Sequence, residues 1–347
     1  MWRVSSTVPW GACAVARGEF YGYYLGWAGP ARRAYAAGLA LELPSGYSRA
    51  DCVVVCGMGG SGAAGDYLAA LSAAYGGLPV YVVKSAEPPR WVRGCLVYAV
   101  SFSGNTRETL NCASRAYRLG GYVVAVTTGG RLAAWARRVG VPVAVVEEAP
   151  APRAGWPQLF YTLLGSLKAA GLIQVPGGHV EESIQLLGER ERAEAEAREL
   201  AEWLQGSRGS LVVLAPEPYY PVAVRTRSEL AENAKLTADA AQVPEAGHNM
   251  LEAWARSGDT RILLLDPGEE PWSTLLHQAA GLARPASLHV ARLRGGSMLS
   301  RMVWGTWLAG LASVRYALDA GLDPEPVKTI KAFRRVVEET TGWDALD

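Results

Sequence analysis

The sequence predicts an α/β protein made of two αβα-sandwich domains with mainly parallel sheets, and with additional helices at both ends of the chain. The 347 residues are about twice the length of a usual single domain. Hydrophobic residues make up 50% of the chain, which is enough for two packed cores. Short apolar runs rich in β-branched residues alternate with helix-like stretches, and this alternation is typical of βαβ units, whose strands are parallel.

Residues 1–46 are predicted to form an N-terminal helical arm that ends at the breaker Pro44-Ser45-Gly46. Residues 47–150 form the first predicted domain, in which Gly76 and Gly120 should end two helices because glycine tolerates the left-handed conformation. Asn105 followed by Glu108 resembles an N-cap with its acidic partner. The predicted strands are 52–56, 80–83, 96–101, 122–127 and 141–146, and the predicted helices are 63–75, 106–119 and 131–139.

Residues 151–208 are predicted to form a helical linker, because the proline-rich segment 149–152 interrupts the alternation. Within it we expect one helix at 156–170 and one solvated helix at 181–205. Residues 209–347 repeat the α/β pattern, which indicates a duplicated domain with a C-terminal helix. Its predicted strands are 211–215, 261–266 and 287–293, and its predicted helices lie near 220–236, 269–283, 297–320 and 324–339.

The charge composition argues against some classes of binding partner. The net charge is +1 and only 19% of residues are charged, which disfavours disorder and a broad nucleic-acid or membrane surface. The nearly uncharged stretch Met302–Val314 is too short to cross a bilayer and predicts a core helix. The first six residues lack the apolar region of a secretion signal, so we expect a cytoplasmic protein.

The cysteines are few and scattered along the chain. None has a histidine or a second cysteine at the spacing of zinc ligands, and we expect no metal site. Buried apolar packing, without a disulfide framework or a redox role, is the predicted state of these side chains. They are Cys13, Cys52, Cys56, Cys95 and Cys112.

Two turns rich in glycine and serine, Gly57–Gly62 and Ser101–Thr106, each follow a predicted buried strand and precede a predicted helix. Backbone N–H groups at a helix start, close backbone approach at glycine and donating hydroxyls together favour a phosphate dianion. Two such turns in one sheet predict one phosphorylated ligand that is held from two sides.

A dinucleotide site is the alternative interpretation of the first turn, because Gly57, Gly59 and Gly62 also satisfy Gly-x-Gly-x-x-Gly. The next strand then ends at Lys84, where a ribose-binding acid would be expected. A lysine there could suit a 2'-phosphate. The second turn has no role in such a site, so a nicotinamide cofactor is disfavoured and no cofactor is expected.

The string Ser-Phe-Ser-Gly-Asn-Thr with the earlier glycine turn resembles the sugar isomerase (SIS) domain, which implies two SIS-type domains. Three further segments resemble the archaeal-type bifunctional phosphoglucose/phosphomannose isomerases. They are Glu232-Asn233-Ala234-Lys235, Pro244–Asn249 and Ala151–Ala154. The resemblance extends over most of residues 50–335 and implies a metal-independent enzyme that interconverts glucose 6-phosphate and mannose 6-phosphate with fructose 6-phosphate.

The resemblance also implies residue roles. Glu232 would move a proton between C1 and C2, Arg153 would lie over the enediolate, and His248 would help to open the sugar ring. In the family this histidine comes from the neighbouring subunit, which implies a homodimer. The implied substrate-binding residues, mostly for the phosphate, are Gly59, Gly60, Ser61, Ser101, Ser103 and Thr106.

The residue types suit this chemistry. A carboxylate can take a proton from one carbon and return it to the next, and a fixed positive charge stabilises the enediol oxygens. A histidine can move protons near neutral pH. His248 is the one histidine within a motif, whereas His289 is expected in the core, His179 in a loop and His277 in a helix.

One position departs from the family pattern. The family has a lysine in the C-terminal helix that reaches the active site, and the matching residue here is Arg334. Arginine supplies charge but does not readily release a proton, so Lys331, three residues earlier, is the alternative. Either residue could instead be a surface charge.

Two other functions remain open at this stage. A non-catalytic, sugar-phosphate-binding regulatory protein would need the two turns but not Glu232, Arg153 and His248. An aminating relative of the glucosamine-phosphate synthase type would need a glutaminase domain, and the start of this sequence does not resemble one.

Overall fold

A computed structural model describes the backbone of residues 10–206 and 209–343, with side chains from residue 18 onward in those ranges. The residues on which the secretion argument rests, and the side chain of Cys13, lie outside the described part. The described part begins with two helices, α1 (Trp10–Leu25) and α2 (Ala28–Leu39). The described residues of the predicted arm are therefore mostly helical as far as Leu39, and residues 40–46 are not.

A five-stranded parallel sheet follows the arm. All five predicted strands are present, although the last is shorter than expected, and Gly76 and Gly120 follow their helices with φ of +89° and +86°. The elements are β1 (Val53–Cys56), α3 (Gly60–Tyr75), β2 (Val80–Val83), β3 (Leu96–Val100), α4 (Arg107–Arg118), β4 (Tyr122–Thr127), α5 (Gly130–Val139) and β5 (Val143–Val145).

The strand order of the first sheet is β2-β1-β3-β4-β5. The chain leaves β1 toward one edge of the sheet and leaves β3 toward the other, so the crevice between β1 and β3 is a topological switch point. Ligands of open α/β sheets bind in such a crevice, at the carboxyl ends of the strands. Both predicted phosphate-binding turns begin at this position.

Three helices connect the two sheets: α6 (Trp156–Ala169), α7 (Gly177–Leu186) and α8 (Arg190–Gln205). The single solvated helix expected over 181–205 is wrong, because the chain turns at 187–189 and forms two helices there. Gly188 donates its backbone N–H to the Gln185 carbonyl at this turn. α8 buries a stripe of alanine and leucine side chains and leaves its charged face exposed.

The second half contains a four-stranded parallel sheet with the order β7-β6-β8-β9. Its elements are β6 (Leu211–Pro216), α9 (Tyr220–Glu229), a π-helix (Leu230–Ala234), β7 (Asp239–Val243), α10 (Met250–Ser257), β8 (Arg261–Asp266), α11 (Trp272–Ala283) and β9 (Ser287–Arg292). The sequence analysis missed β7 and α10. Aspartate and alanine, which are depleted in strands, make up much of β7, so pairing with β6 outweighs local propensity.

The chain ends in α12 (Met298–Asp319) and α13 (Lys328–Thr341). α12 contains the stretch Met302–Val314, whose side chains are buried against α8, α9 and α1, so the predicted core helix is confirmed. α13 begins four residues later than expected and is largely exposed. None of the helices within the described ranges combines the length and apolarity needed to cross a bilayer.

The expectation of unpaired cysteines is wrong for four of the five. Cys52 is bonded to Cys95 and Cys56 to Cys112. Parallel pairing of β1 with β3 brings the first pair together, and α4 packs over the same strands to place Cys112 against Cys56. The pairing depends on tertiary contacts across 43 and 56 residues, which cysteine spacing alone did not reveal. The α/β class with two parallel sheets is confirmed.

Candidate active site

The two glycine- and serine-rich turns meet at the carboxyl ends of β1 and β3. These strands are direct neighbours, with Cys56 opposite Ala99. A Cβ atom built on Gly57 would lie 3.0 Å from the Val100 carbonyl oxygen, so the first turn packs directly against the end of β3. The sheet therefore places both turns around one crevice.

The first turn leads into the amino terminus of α3. Gly59 precedes the helix with φ of +53°, a left-handed conformation that favours glycine. Gly60 and the buried Ser61 form the first helical turn, where the helix dipole favours an anion. A Cβ on Gly60 would lie 3.1 Å from Arg225 Nη1 and 3.9 Å from Arg153 Cα, so this turn also touches the Arg153 segment.

The second turn holds its hydroxyls in defined positions. The buried Ser101 hydroxyl donates to Thr106 Oγ1 at 3.0 Å, while Ser103 is exposed and Thr106 is half-buried. The expected N-cap pair is wrong: Thr106 precedes α4, and no side chain caps the helix. Asn105 instead accepts a hydrogen bond from the Arg131 backbone N–H at 3.2 Å and so joins the second turn to the turn after β4.

Glu232 lies in the π-helix that prolongs α9, and π-helical turns are frequent at functional sites. Its side chain is 24% exposed, and Oε2 lies 3.5 Å from Arg153 Nη1. Since Arg153 Cα is in contact range of Gly60, the carboxylate lies on the same side of the molecule as the first turn. The structure thus brings together Glu232, Arg153 and the first turn.

Arg153 is almost fully buried and has a hydrogen-bond partner on each side of its planar guanidinium group. Nε donates to Asn233 Oδ1 at 2.5 Å, and Nη2 donates to the carbonyl oxygens of Pro324 at 2.7 Å and Glu325 at 3.0 Å. The guanidinium carbon lies 5.3 Å from the centre of the Phe20 ring, in cation–π range. These contacts leave Nη1 directed at Glu232.

Lys235 ends the π-helix in the left-handed conformation, with φ of +58°, which is uncommon for a residue with a side chain. Its ammonium donates to the carbonyl oxygens of Glu232, Pro324 and Pro326, and so holds the segment that precedes α13. Burial lowers the pKa of Lys235, and the charge of Arg153 lowers it further. The sequence analysis treated Lys235 only as a neighbour of Glu232 and missed this contact.

A buried network below Arg153 was also missed. Glu229 forms an ion pair with Arg225, and both side chains are almost inaccessible. Burial raises the pKa of the Glu229 carboxyl, and the positive charge of Arg225 opposes that shift. Arg225 also donates to the Arg153 carbonyl oxygen at 2.8 Å. Arg225, Glu229 and Asn233 are spaced four residues apart along a helix. This spacing places their side chains on one face and was the signal in the sequence that could have indicated the network.

His248 is exposed and ends the 3-10 turn Glu245–His248. β7 separates the two residues in the chain: Glu232 precedes its amino end and His248 follows its carboxyl end. A strand of this length spans about 16 Å. Among the described residues, no hydrogen bond or ion pair joins His248 to Glu232.

The other three histidines have structural partners. His179 was expected in a loop but lies in the first turn of α7, where its Nδ1 is 3.1 Å from the Tyr75 hydroxyl. His277 lies in a helix as expected, and its Nε2 is 3.3 Å from Asp266 Oδ2. His289 was expected in the core but is half-buried on the edge strand β9 beside the Trp203 ring. Burial lowers the pKa of this imidazole.

Lys331 and Arg334 both lie on α13 with exposed side chains, and neither forms an ion pair with another described residue. The helix is attached at both ends. Its leading segment is held by Arg153 and Lys235, and Glu338 near its end pairs with Arg107 in the first turn of α4. α13 thus runs from the Glu232 cluster to the second turn.

The structure also bears on the candidates for a metal. Within the described side chains, no three His, Cys, Asp or Glu residues gather closely enough to hold a metal ion.

Comparison with known proteins gives matches over most of the chain. The family model described as the bacterial phospho-glucose isomerase C-terminal SIS domain matches residues 193–337. The bifunctional phosphoglucose/phosphomannose isomerase of Aeropyrum pernix is 34% identical over 303 residues, which cover 83% of this chain and 89% of the relative. A relative with a different name, the D-glucosamine-6-phosphate 4-epimerase of Sulfolobus acidocaldarius, is 27% identical over 86% of this chain and 93% of its own.

Solved structures support the fold. A Thermus thermophilus protein of known structure, described as hypothetical, superimposes with a TM-score of 0.73 at 16% identity, covering 95% of each chain. This chain belongs to the family of bifunctional phosphoglucose/phosphomannose isomerases.

Proposed function

We propose that this protein interconverts glucose 6-phosphate and mannose 6-phosphate with fructose 6-phosphate through an enediol intermediate. The observation that supports this most directly is the position of the Glu232 carboxylate. Its Oε2 lies 3.5 Å from a guanidinium nitrogen of Arg153, and the Arg153 backbone touches the first phosphate-binding turn. A base, a fixed cation and an anion site are the three groups that this reaction requires.

Glu232 is the proposed base. Its carboxylate removes the proton from C2 of the open-chain aldose, the C–H electron pair forms the C1–C2 double bond, and the π pair of the C1 carbonyl moves onto O1. A proton then passes from the O2 hydroxyl group to O1. The same carboxylate returns the proton to C1 and yields the ketose. A positioned general base of this kind typically contributes about 10²- to 10⁴-fold to the rate.

Arg153 is the proposed stabiliser of the enediolate oxygens. It is always charged, and its Nε and Nη2 atoms are already bonded to Asn233 and to two backbone carbonyl groups. The group is therefore oriented before the substrate binds and needs little rearrangement as negative charge develops.

The phosphate is proposed to bind between the two turns. Gly59, Gly60 and Ser61 contribute the amino terminus of α3, and Ser101, Ser103 and Thr106 contribute hydroxyls from the neighbouring strand end. Glucose 6-phosphate and mannose 6-phosphate differ only at C2, which becomes planar in the shared enediol. One phosphate site and one base can therefore act on both sugars.

The proposed catalyst is a homodimer in which His248 of one subunit serves the Glu232 site of the other. Two observations support this arrangement: His248 is exposed, and β7 separates it from Glu232 within one chain. Histidine would move a proton between the ring oxygen and the C1 hydroxyl group. Arg334 or Lys331 on α13 would add positive charge near the sugar.

We also propose domain boundaries near residues 46, 150 and 208, and a cytoplasmic location for the protein.

An assay of the purified protein tests the proposal. Each aldose phosphate is supplied in the presence of a chelator, and the fructose 6-phosphate formed is measured. We expect turnover of both aldoses, and we expect Glu232→Gln to reduce kcat by at least about 10²-fold while fructose 6-phosphate still binds. Glu191→Gln, an exposed change on α8, is the matched control.

Two results would overturn the proposed function. Binding of the sugar phosphates without turnover would identify a regulatory sugar-phosphate-binding protein. Unchanged rates in Glu232→Gln would remove this carboxylate from the reaction. Glucosamine 6-phosphate is assayed in parallel because one relative is named as an epimerase of that sugar.

A further inference from the structure

The Asn233 side chain has a fixed orientation between three buried acceptor groups and Arg153. Its Nδ2 atom donates to Glu229 Oε2 at 2.7 Å and to Ser313 Oγ at 3.0 Å, and Tyr24 Oη lies 3.3 Å away. The Ser313 and Tyr24 hydroxyls donate their own hydrogens elsewhere, to the Gly310 carbonyl and to Glu229. Each therefore presents a lone pair to Nδ2, so Asn233 Oδ1 must point toward Arg153.

Glu229 is the charged centre of this arrangement. The side chain has no solvent exposure, and its two oxygens have different partners. Oε1 accepts from Arg225, whereas Oε2 accepts from the Tyr24 hydroxyl at 2.9 Å and from Asn233. No atom of Glu229 is placed to touch a sugar, since Asn233 and Arg153 lie between it and Glu232.

We propose that Glu229 and Tyr24 are positioning residues that orient the Asn233 amide and thereby hold Arg153 against Glu232. This inference rests on the proposed function, in which Arg153 and Glu232 act on the enediol. It adds a residue of the N-terminal arm to the active site, because Tyr24 lies on α1. Phe20, one turn earlier on α1, supports the same guanidinium group through its ring.

The chemistry of this position requires a carboxylate. An amide at residue 229 has one oxygen and one NH₂ group, so it cannot accept hydrogen bonds on both sides. If the NH₂ group pointed toward Arg225, it would face the guanidinium group, which is also a donor, and the buried charge of Arg225 would have no acceptor. With its NH₂ group toward Asn233, the Asn233 amide would turn over and present its own NH₂ group to Arg153 Nε. Either arrangement displaces Arg153.

The test compares three variants with the wild-type enzyme. Glu229→Gln and Tyr24→Phe each remove a hydrogen-bonding group that orients the Asn233 amide, and Tyr161→Phe is the matched control. Tyr161 is equally buried and forms a single side-chain hydrogen bond, to Ser183, remote from Arg153. The readouts are kcat, KM, inhibition by inorganic phosphate, and the affinity for a five-carbon aldonic acid phosphate whose carboxylate mimics the enediolate.

We expect kcat to fall by about 10²-fold in Glu229→Gln and by roughly 10-fold in Tyr24→Phe, because a displacement of about 1 Å can cost that much. The affinity for the enediolate mimic should fall by a similar factor in each variant. KM and the inhibition constant of phosphate should change less than about 2-fold, since the two turns are unaltered. Tyr161→Phe should match the wild type in all four readouts.

Three outcomes would overturn the inference. They are an unchanged kcat in Tyr24→Phe, equal losses in Tyr24→Phe and Tyr161→Phe, or a parallel loss of phosphate affinity. If Glu229→Gln does not fold, Tyr24→Phe decides the matter, because it leaves the ion pair in place. An inactive wild-type enzyme would overturn the proposed function instead, and binding of the mimic to the variants would still test the positioning of Arg153.

Discussion

The Cys56–Cys112 disulfide joins the end of β1 to the middle of α4. β1 leads into the first glycine- and serine-rich turn and α4 follows the second, so one covalent bond links the elements that support both turns. A second bond, between Cys52 and Cys95, joins the other ends of β1 and β3. The two bonds therefore hold both ends of β1, and the Cys56–Cys112 bond lies at the end that leads into the crevice.

Reduction of the disulfides should therefore destabilise the first half of the chain. Closing loops of 43 or 56 residues corresponds to about 4 kcal/mol each in the chain-entropy treatment, and because the two loops overlap the effects should not add fully. For a chain of this length, 4 kcal/mol corresponds to roughly 5 °C in Tm. Calorimetry with and without reductant measures this difference. A Cys52→Ser/Cys95→Ser/Cys56→Ser/Cys112→Ser variant should show no further response to reductant, and an unchanged wild-type Tm would refute the prediction.

The second turn should determine phosphate affinity. Ser103→Ala combined with Thr106→Ala removes two hydroxyls that would donate to a dianion, and such charged hydrogen bonds contribute about 1.5–3 kcal/mol each. We expect binding of fructose 6-phosphate and of inorganic phosphate to weaken by at least about 100-fold, measured by calorimetry. Ser48→Ala with Thr274→Ala, at exposed positions outside both turns, is the control. Equal affinity in both double variants would exclude this turn as the phosphate site.

Mixing two inactive variants should restore activity if His248 acts across a dimer interface. His248→Ala retains Glu232, and Glu232→Gln retains His248. A heterodimer then contains one complete site and one doubly defective site. Unfolding and refolding the two variants together should recover about a quarter of the wild-type activity, because half of the dimers are mixed. Activity no greater than the average of the separate variants would place both residues in one subunit.

The C-terminal helix should contain one further contact to the sugar. Lys331→Met and Arg334→Met both remove a charge from exposed positions of α13, and we expect only the residue that faces the substrate to lower kcat/KM, by about 10-fold. Lys328→Met, at the start of the same helix, is the control for lost surface charge. Steady-state kinetics with both aldose phosphates measures the effect, and two unaffected variants would assign both charges to the surface.

Asp266 should make stability depend on pH in the acidic range. Burial tends to raise the pKa of this carboxyl, but hydrogen bonds from Ser273, the Gly268 N–H and His277, together with the charge of Arg292, hold it below its usual 3.8. A lowered acid pKa contributes stability above about 3.8, and this contribution is lost as the pH falls through the folded-state pKa.

Asp266→Asn should therefore cost about 2 kcal/mol at pH 7, because one side of the amide would present donors to His277 and Arg292. The difference from the wild type should shrink below pH 3.8. Urea denaturation at pH 7, 4.5 and 3 measures the difference in the free energy of unfolding, and Asp51→Asn at an exposed position is the control. A difference that is constant with pH would contradict the assignment.

The strands and glycine turns were predictable because they depend on local sequence. Continuous β-branched runs such as 53–56 and 96–100 form strands in any parallel sheet, and Gly59 can adopt a positive φ that other residues avoid. β7 was not predictable in this way, because its alanine-rich sequence forms a strand only through pairing with β6. Asn105 was wrongly assigned as a helix cap, because its side-chain oxygen accepts a hydrogen bond from the backbone N–H of Arg131, 26 residues further along the chain.

The sequence by itself determined the α/β class, the positions of the two glycine- and serine-rich turns and the candidates Glu232, Arg153 and His248, since each depends on residue type and on neighbours within a few positions. The tertiary structure decided which of these meet. Arg153 reaches Glu232 because Asn233 and the 324–325 carbonyl groups orient it, and Asn233 is in turn oriented by Glu229 and by Tyr24 of the first helix. These partners lie up to 209 residues apart, and only packing of the helices around α12 brings their donors and acceptors within hydrogen-bond distance.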